Sequence, residues 1–155
     1  PYGTEALSTL RIEMGHIAGS ELDGRTIPYD NSLEGLVSKK KDFIGKRSLE
    51  REAFIVEDRQ KVVGVVPIDK KTSIPEGSHL VKDAMAPIPN PKLGYISASC
   101  WSVENDNPFS LAILKDGKNM IGQKLFAMSP LKNKTIPVEI VSSHYVDPKG
   151  ERVRS

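Results

Sequence analysis

From about residue 61 onward, the sequence consists of short β-rich segments separated by proline and glycine. Segments of this kind between such breaks are typical of strands. The intervals are too short for crossover helices, so mainly antiparallel pairing is expected, and the pattern favours a small barrel. Strand spacing predicts roughly six strands, over residues 62–68, 79–82, 92–100, 109–115, 124–128 and 135–145.

The amino-terminal segment has a helical pattern instead. Leu7, Leu10 and Met14 recur at helical spacing. Gly15 supplies a natural stop, and Thr4 is a candidate for the amino-terminal cap. A helix is therefore predicted between Thr4 and Met14.

Between this helix and the barrel, the sequence predicts irregular backbone and a second helical run. Turn residues and carboxylates crowd the stretch 19–31. Residues 42–45 lead into this helical run, which contains Leu49, Ala53 and Phe54, and its other positions are charged residues that suit a solvated helix face. The predicted fold class is α+β, with a helical first part followed by a small, mainly antiparallel β-barrel.

Charge and composition exclude several classes of function. The chain has 22 basic and 20 acidic residues, a net charge of +2, which is too balanced for a nucleic-acid or membrane partner held by long-range electrostatics. Transmembrane helices need about 20 consecutive apolar residues, and none is present. A single cysteine, Cys100, favours a reducing, cytoplasmic compartment. The start at Pro1 shows no secretory signal and predicts a fragment cut from a longer protein.

Residues that carry chemistry elsewhere do not form a catalytic pattern in this sequence. His16, His79 and His144 are scattered and lack the spacing of metal ligands. Cys100 would need a histidine close in space to act as a nucleophile, and packing as a small apolar residue is favoured. No hydrolase elbow, phosphate-binding loop or dinucleotide fingerprint occurs. No catalytic or metal-binding residue is predicted.

Carboxylates cluster around the end of the first helix and the loop after it. Two carboxylate oxygens can accept two parallel N–H groups, such as those on the amino-pyrimidine edge of a pterin. Glu13, Glu21 and Asp23 are the candidate binding residues. The alternative is structural: Glu13 pairs with Arg11 or a neighbouring loop, while Asp23 and Asp30 build turns.

The lysines at 39–41 form the densest run of positive charge in the chain. A solvated turn is the favoured interpretation, because charge runs are usually exposed. The functional alternative is a patch for an anionic ligand, for instance the glutamate tail of a folate.

Several stretches together resemble the aminomethyltransferase superfamily, which includes the glycine-cleavage T-protein. The order and spacing of three of them carry the resemblance: residues 9–15, residues 21–26 with Pro28, and residues 42–46 with Leu49. The opening residues 1–6 and the closing residues 145–152 more specifically resemble the alpha-subunit family of heterotetrameric sarcosine oxidases. The resemblance covers nearly the whole chain.

The resemblance implies that residues 1–55 end a folate-binding domain and that residues 56–155 form the carboxyl-terminal β-barrel domain. It also implies oxidation of sarcosine to glycine, formaldehyde and hydrogen peroxide, with tetrahydrofolate capturing the one-carbon unit. FAD, FMN and NAD are expected elsewhere in the full complex, and the remainder of the alpha subunit and the other subunits are the expected partners. The family's main catalytic acid lies upstream, so the fragment alone is expected to be inactive.

Three positions depart from the T-protein pattern. Leu7 stands where a folate-contacting arginine is expected, and no tyrosine occurs near Ala18 and Gly19. The family's last folate-contacting tyrosine has no clear match after Tyr145. T-protein contacts therefore do not transfer at these positions, and the fragment is expected to supply at most part of a folate site.

Two alternatives remain open. The first is a true aminomethyltransferase or folate-dependent demethylase of the same superfamily, without a flavin oxidase partner. The second is a non-catalytic barrel that binds a protein or a nucleic acid. Near-neutral charge and an aromatic content of 6% argue against nucleic acid, because single-strand binders need stacking platforms and a basic groove.

Overall fold

The computed structural model describes residues 1–154, and its main feature is a closed β-barrel. Every neighbouring pair of strands is antiparallel, in the order β1-β4-β3-β2-β5-β6, with β1 also paired to β6. The predicted antiparallel barrel and its six strands are confirmed. The strands are β1 (Lys61–Pro67), β2 (His79–Val81), β3 (Gly94–Ser102), β4 (Asn107–Leu114), β5 (Lys124–Ser129) and β6 (Lys134–Val141).

The helices are few and mostly short. Helix α1 has ten residues, whereas α2 and α3 have four each. Three single turns of 3-10 helix complete the regular structure. The α-helices are α1 (Thr4–Glu13), α2 (Lys46–Leu49) and α3 (Glu151–Arg154), and the 3-10 turns are Glu34–Leu36, Glu52–Phe54 and Pro130–Lys132.

Alternating side chains fill the inside of the barrel. Because successive side chains of a strand point to opposite faces, Val63 and Val65 of β1 point inward together with Ala112 and Leu114 of β4. Residues from the other strands and from two connections complete this apolar interior. They are Ile74, Leu80, Ile96, Met120, Leu125, Ala127, Ile136, Val138 and Ile140.

A second apolar cluster lies on the outer wall of the barrel, where helix α1 covers it. Ile12 of α1 packs with the outward-facing side chains of β1, β3 and β4. This cover explains why all eight residues of β4 are buried. The other buried members are Val62, Val66, Ala98, Phe109, Leu111 and Ile113.

Helix α1 forms as predicted but differs in its cap and in its buried face. Gly3 occupies the N-cap position, and no side chain caps the helix, so the predicted cap at Thr4 is wrong. Gly15 follows the helix with a φ of +70°, the left-handed conformation that glycine adopts without a steric penalty. Leu7 and Leu10 are 54% and 53% exposed. The predicted apolar stripe therefore faces outward.

The helical run predicted after residues 42–45, through Leu49, Ala53 and Phe54, is wrong in extent. Only Lys46–Leu49 is α-helical, and Glu52–Phe54 is a 3-10 turn. Gly45 has a φ of +95°, which interrupts any helix from the preceding residues. Ile44 is fully exposed, and short helices without a packed apolar face are marginal in water.

Candidate functional site

The first predicted carboxylate, Glu13, is the last residue of α1 and is buried against the barrel wall. The side chain is 6% exposed, and its Oε1 accepts a hydrogen bond of 2.6 Å from Oγ of Ser102 at the end of β3. The carbonyl oxygen of Glu13 accepts hydrogen bonds from the backbone N–H groups of Tyr145 and Val146, both at 3.1 Å. Glu13 thus joins the end of α1 to the end of β3 and to the segment that follows β6.

The second predicted carboxylate, Glu21, is completely buried within the loop after α1. Its Oε2 accepts hydrogen bonds from the backbone N–H of Ala18 at 2.8 Å and from Nη1 of Arg11 at 3.3 Å. Its Oε1 accepts a hydrogen bond of 2.8 Å from the hydroxyl of Ser20. Arg11 therefore pairs with Glu21, and the alternative pairing of Arg11 with Glu13 is wrong.

The third predicted carboxylate, Asp23, is partly exposed and builds a turn with Arg25. One carboxylate oxygen accepts a hydrogen bond of 2.8 Å from the backbone N–H of Arg25, and the other accepts one of 2.7 Å from Nε of the same residue. These hydrogen bonds lower the pKa of Asp23 from its ordinary value. The structural alternative for Asp23, a turn residue, is confirmed.

Donors from the chain itself bind both carboxylate oxygens of Glu21 and Asp23 and one carboxylate oxygen of Glu13. A pterin edge would need two acceptor oxygens of one carboxylate facing open space. The side chains of Glu13 and Glu21 are buried, and Asp23 is bound by Arg25. In this arrangement, the three carboxylates make their observed contacts within the chain, and their direct role in binding folate stays a prediction.

The Asp30–Arg59 pair lies beside the carboxylate loop, and sequence reasoning missed it. The side chain of Asp30 is 2% exposed, and Arg59 binds it with two parallel hydrogen bonds, Nε to Oδ1 at 2.6 Å and Nη2 to Oδ2 at 2.8 Å. Oδ2 also accepts the backbone N–H of Ile27 at 3.0 Å, which forms the predicted turn. The guanidinium carbon lies 4.9 Å from the ring centre of Phe54. This pair fastens the loop to the segment that enters β1.

A stacked aromatic pair, also unpredicted, lies on the outer wall of the barrel. The rings of Phe109 and Tyr145 are 4.2 Å apart between centroids and nearly parallel, at 2°. The hydroxyl of Tyr145 exchanges hydrogen bonds with the side-chain amide of Asn107, at 2.9 and 3.1 Å. The only signal in the sequence was the isolated tyrosine close to the carboxyl terminus.

A cleft beside the candidate site has a volume of about 510 Å³. Its lining includes Tyr95 and four cations, Arg25, Arg59, Lys92 and Lys115. Three of these cations are already paired, with Asp23, Asp30 and Asp58. The cleft therefore offers a poor site for an anion.

Residues 1–154 contain neither a metal-binding cluster nor a membrane-spanning helix. In this part of the chain no group of three or more histidine, cysteine, aspartate or glutamate side chains is arranged to hold a metal ion. None of the described helices combines the length and the apolar character needed to cross a bilayer.

Cys100 is half-buried on β3, and burial raises the pKa of its thiol to about 12, with a further contribution from the charge of Glu13. Only the thiolate reacts with alkylating and disulfide reagents. An exposed cysteine has a pKa of about 8.5, so we expect the native thiol to react about a thousandfold more slowly at neutral pH. Reaction with a chromogenic disulfide, followed before and after unfolding in urea, measures this. Equal rates in both states would contradict it.

Comparisons with known proteins begin with the fold. No protein-family model matches the chain. The structure superimposes on the crystal structure of the glycine cleavage system aminomethyltransferase T from Bartonella henselae with a TM-score of 0.74, at 20% sequence identity, covering 92% of this chain and 38% of that one. The barrel with α1 against its wall is therefore part of the aminomethyltransferase fold.

Sequence similarity identifies a narrower group of relatives than the shared fold does. The chain is 38% identical over 155 residues to the sarcosine oxidase subunit alpha of Rhizobium meliloti (strain 1021), and 39% identical to that of Corynebacterium sp. (strain U-96). These alignments cover 99% and 98% of this chain, but the chain spans only 16% of the length of either relative. The resemblance to sarcosine oxidase alpha subunits is confirmed.

Proposed function

We propose that this chain is part of the alpha subunit of a cytoplasmic sarcosine oxidase, which converts sarcosine to glycine, formaldehyde and hydrogen peroxide. The observation that carries the proposal is the 38% identity to a sarcosine oxidase alpha subunit over 99% of the chain. The fold shared with an aminomethyltransferase supports it independently.

Within that enzyme, we assign the chain to the half that uses tetrahydrofolate to take up the released one-carbon unit as methylene-tetrahydrofolate. Residues 1–55 would complete the folate-binding domain, and residues 56–155 would be the barrel domain. FAD, FMN and NAD would be held outside these residues. Bringing the acceptor close to the reactive carbon makes its capture effectively intramolecular. The chain alone would be inactive.

We assign Glu13, Glu21 and Asp23 a supporting role in that half. Their contacts favour positioning over direct binding, because Glu13 and Glu21 fix the end of α1 and the next loop through buried hydrogen bonds. The stripe of Leu7 and Leu10 on α1 is exposed, and we infer that the remainder of the alpha subunit covers it.

Substitution of Glu21 tests the supporting role. Glu21→Gln keeps one acceptor oxygen, which can serve either Ala18 and Arg11 or Ser20 but not both sides, and it removes the negative charge that faces Arg11. In the full enzyme we expect about a tenfold loss in the efficiency of formaldehyde capture by tetrahydrofolate, because small displacements of positioning groups are costly. The rate of sarcosine oxidation should not change. Peroxide release and formaldehyde yield, with and without tetrahydrofolate, measure the two steps separately.

Two further variants make this test sharper. Glu13→Gln should resemble Glu21→Gln, because Ser102 loses its charged partner. Glu57→Gln is the matched control, since Glu57 is exposed and carries the same charge. Equal capture in all three variants would refute the supporting role.

The proposed activity itself is tested on the full-length enzyme. We expect peroxide production that depends on sarcosine, and less accumulation of formaldehyde when tetrahydrofolate is present. No peroxide from sarcosine would refute the oxidase. Glycine-dependent transfer of an aminomethyl group without peroxide would instead support the alternative, a true aminomethyltransferase, which the shared fold also allows.

A further inference from the structure

An apolar groove lies between residues 28 and 49, away from the carboxylates of α1, and is here named the 28–49 groove. Its volume is about 450 Å³. Leu36 is 80% exposed and Phe43 is 37% exposed. The groove is lined by Pro28, Leu33, Leu36, Val37, Ser38, Lys41, Asp42, Phe43 and Leu49. Contiguous exposed apolar surface of this kind marks interaction sites.

Beside the 28–49 groove lies a strongly basic stretch, residues 39–47, which is here named the rim: Lys41 lines the groove, and Lys39 and Lys46 line the adjoining cleft. The stretch 39–47 contains five basic residues and one acidic residue, in a chain whose overall charge is +2. The basic residues are Lys39, Lys40, Lys41, Lys46 and Arg47.

These rim cations have no counter-ion within the part of the chain that the structure describes. None of the five is in an ion pair within residues 1–154, although Lys46 donates to the carbonyl of Lys41 at 3.4 Å. By contrast, Lys61, Lys115 and Arg25 each pair with a carboxylate. The groove thus combines an apolar floor with adjacent positive charge that no carboxylate of residues 1–154 neutralises.

We propose that the 28–49 groove is a docking surface for another subunit of the enzyme, which inserts apolar side chains from a segment rich in aspartate and glutamate. The inference rests on the proposed function, because it requires a multi-subunit enzyme. Apolar side chains suit the floor, and carboxylates complement the rim. A small anion would use the rim but would leave the floor exposed.

The charge also favours a separate chain over another domain of the same chain. Complementary charge accelerates the diffusional encounter of two molecules. Domains on one chain are tethered at high effective concentration and gain little from such steering. Positive charge at the rim therefore acts mainly by speeding the encounter of two separate subunits before they assemble.

Site-specific photo-crosslinking in the full enzyme tests where the groove docks. A benzophenone amino acid at Leu36 lies at the groove, and the same residue at Leu131 is the control, since Leu131 is fully exposed on the β5–β6 connection. We expect a crosslink from position 36, but not from position 131, to an acidic segment of another subunit. A crosslink into the alpha subunit itself, or none, would overturn the proposal.

Charge reversal tests the steering. Lys40→Glu with Lys41→Glu should slow association of the purified alpha subunit with the other subunits about tenfold at low salt, and high salt should remove the difference. Lys132→Glu with Lys134→Glu makes the same change of charge far along the chain and should leave the rate nearly unchanged. Equal slowing by both pairs would contradict docking at the groove.

The two proposals fail separately. If either test fails while the enzyme still oxidises sarcosine, the docking surface is wrong and the proposed function stands. If the full-length protein purifies without a second polypeptide, docking is overturned, and the peroxide assay still decides the activity.

Discussion

Replacing Asp30 by alanine should lower the free energy of unfolding by about 3–5 kcal/mol, because it leaves a largely buried guanidinium without its counter-ion. Arg59 donates two hydrogen bonds to Asp30, and its side chain is 18% exposed. The same substitution removes the acceptor for the backbone N–H of Ile27. Native domains are stable by only about 5–15 kcal/mol, so the loss is a large share of the total. Urea unfolding followed by the fluorescence of Trp101 measures it.

Two variants show whether the buried charge causes the loss. Asp30→Ala combined with Arg59→Met should be more stable than Asp30→Ala alone, because the unpaired guanidinium is gone. Asp58→Ala removes an exposed partner of Lys115 and should leave the unfolding curve nearly unchanged. If Asp30→Ala were as mild as Asp58→Ala, the pair would not fasten the loop to the barrel.

The barrel was predictable because its signals are local. Val62, Val63, Val65 and Val66 lie between breaks and mark a strand without reference to any partner. The order of the strands was not predictable, since β1 pairs with β4 and β6, which are distant in sequence. Closure therefore depends on contacts that no short segment specifies.

The first part of the chain was harder to predict because its side chains are placed by tertiary contacts. Leu7 and Leu10 have the spacing of a buried stripe, yet the buried residues of α1 are Ile12 and Glu13. The helical spacing of apolar residues shows that one face of the helix is apolar, but it does not show which part of the protein covers that face. The residues from 46 to 54 have helical composition, but neither Lys46–Leu49 nor Glu52–Phe54 has a buried residue that would fix a longer helix.

The candidate site was half predictable. The carboxylates that lie close together in the sequence predicted Glu13 and Glu21 as site residues, and the side chains of both are buried. Their partners could not be inferred, because Ser102 lies 89 residues from Glu13. Arg11 was weighed as the partner of Glu13, but side chains two residues apart on a helix do not face each other, and Arg11 turns to Glu21 instead. The direct role predicted for these carboxylates in binding folate stays a prediction.

Residues 142–145, which follow β6 and contact the end of α1, lie close to two glycines, Gly15 and Gly64. A Cβ at Gly15 would lie 2.6 Å from the carbonyl oxygen of Ser143, and a Cβ at Gly64 would lie 2.3 Å from that of Ser142. Both distances are shorter than any normal contact. Because these two positions carry no side chain, the segment lies close enough for the backbone N–H of Tyr145 to donate to the carbonyl oxygen of Glu13. The candidate site therefore depends on backbone packing as well as on its carboxylates.

Substitution of Gly64 by alanine should consequently destabilise the chain by about 1–3 kcal/mol, the usual effect of overpacking. The added methyl group would also lie 2.7 Å and 2.9 Å from two ring carbons of Phe109, the residue that stacks on Tyr145. We expect a lower urea midpoint and a changed near-ultraviolet circular dichroism signal from the disturbed aromatic pair. Gly35→Ala is the matched control, because nothing lies within 4 Å of its added methyl group.

A double variant separates the two obstacles to the methyl group. Gly64→Ala with Phe109→Leu relieves the contact with the ring but not the contact with the carbonyl oxygen of Ser142. Because that oxygen belongs to the backbone, it can move only if the whole segment from Ser142 to Tyr145 moves. The double variant should therefore remain less stable than Phe109→Leu alone. Equal stability of these two variants would mean that the ring is the only obstacle and that Gly64 does not position the segment at the end of α1.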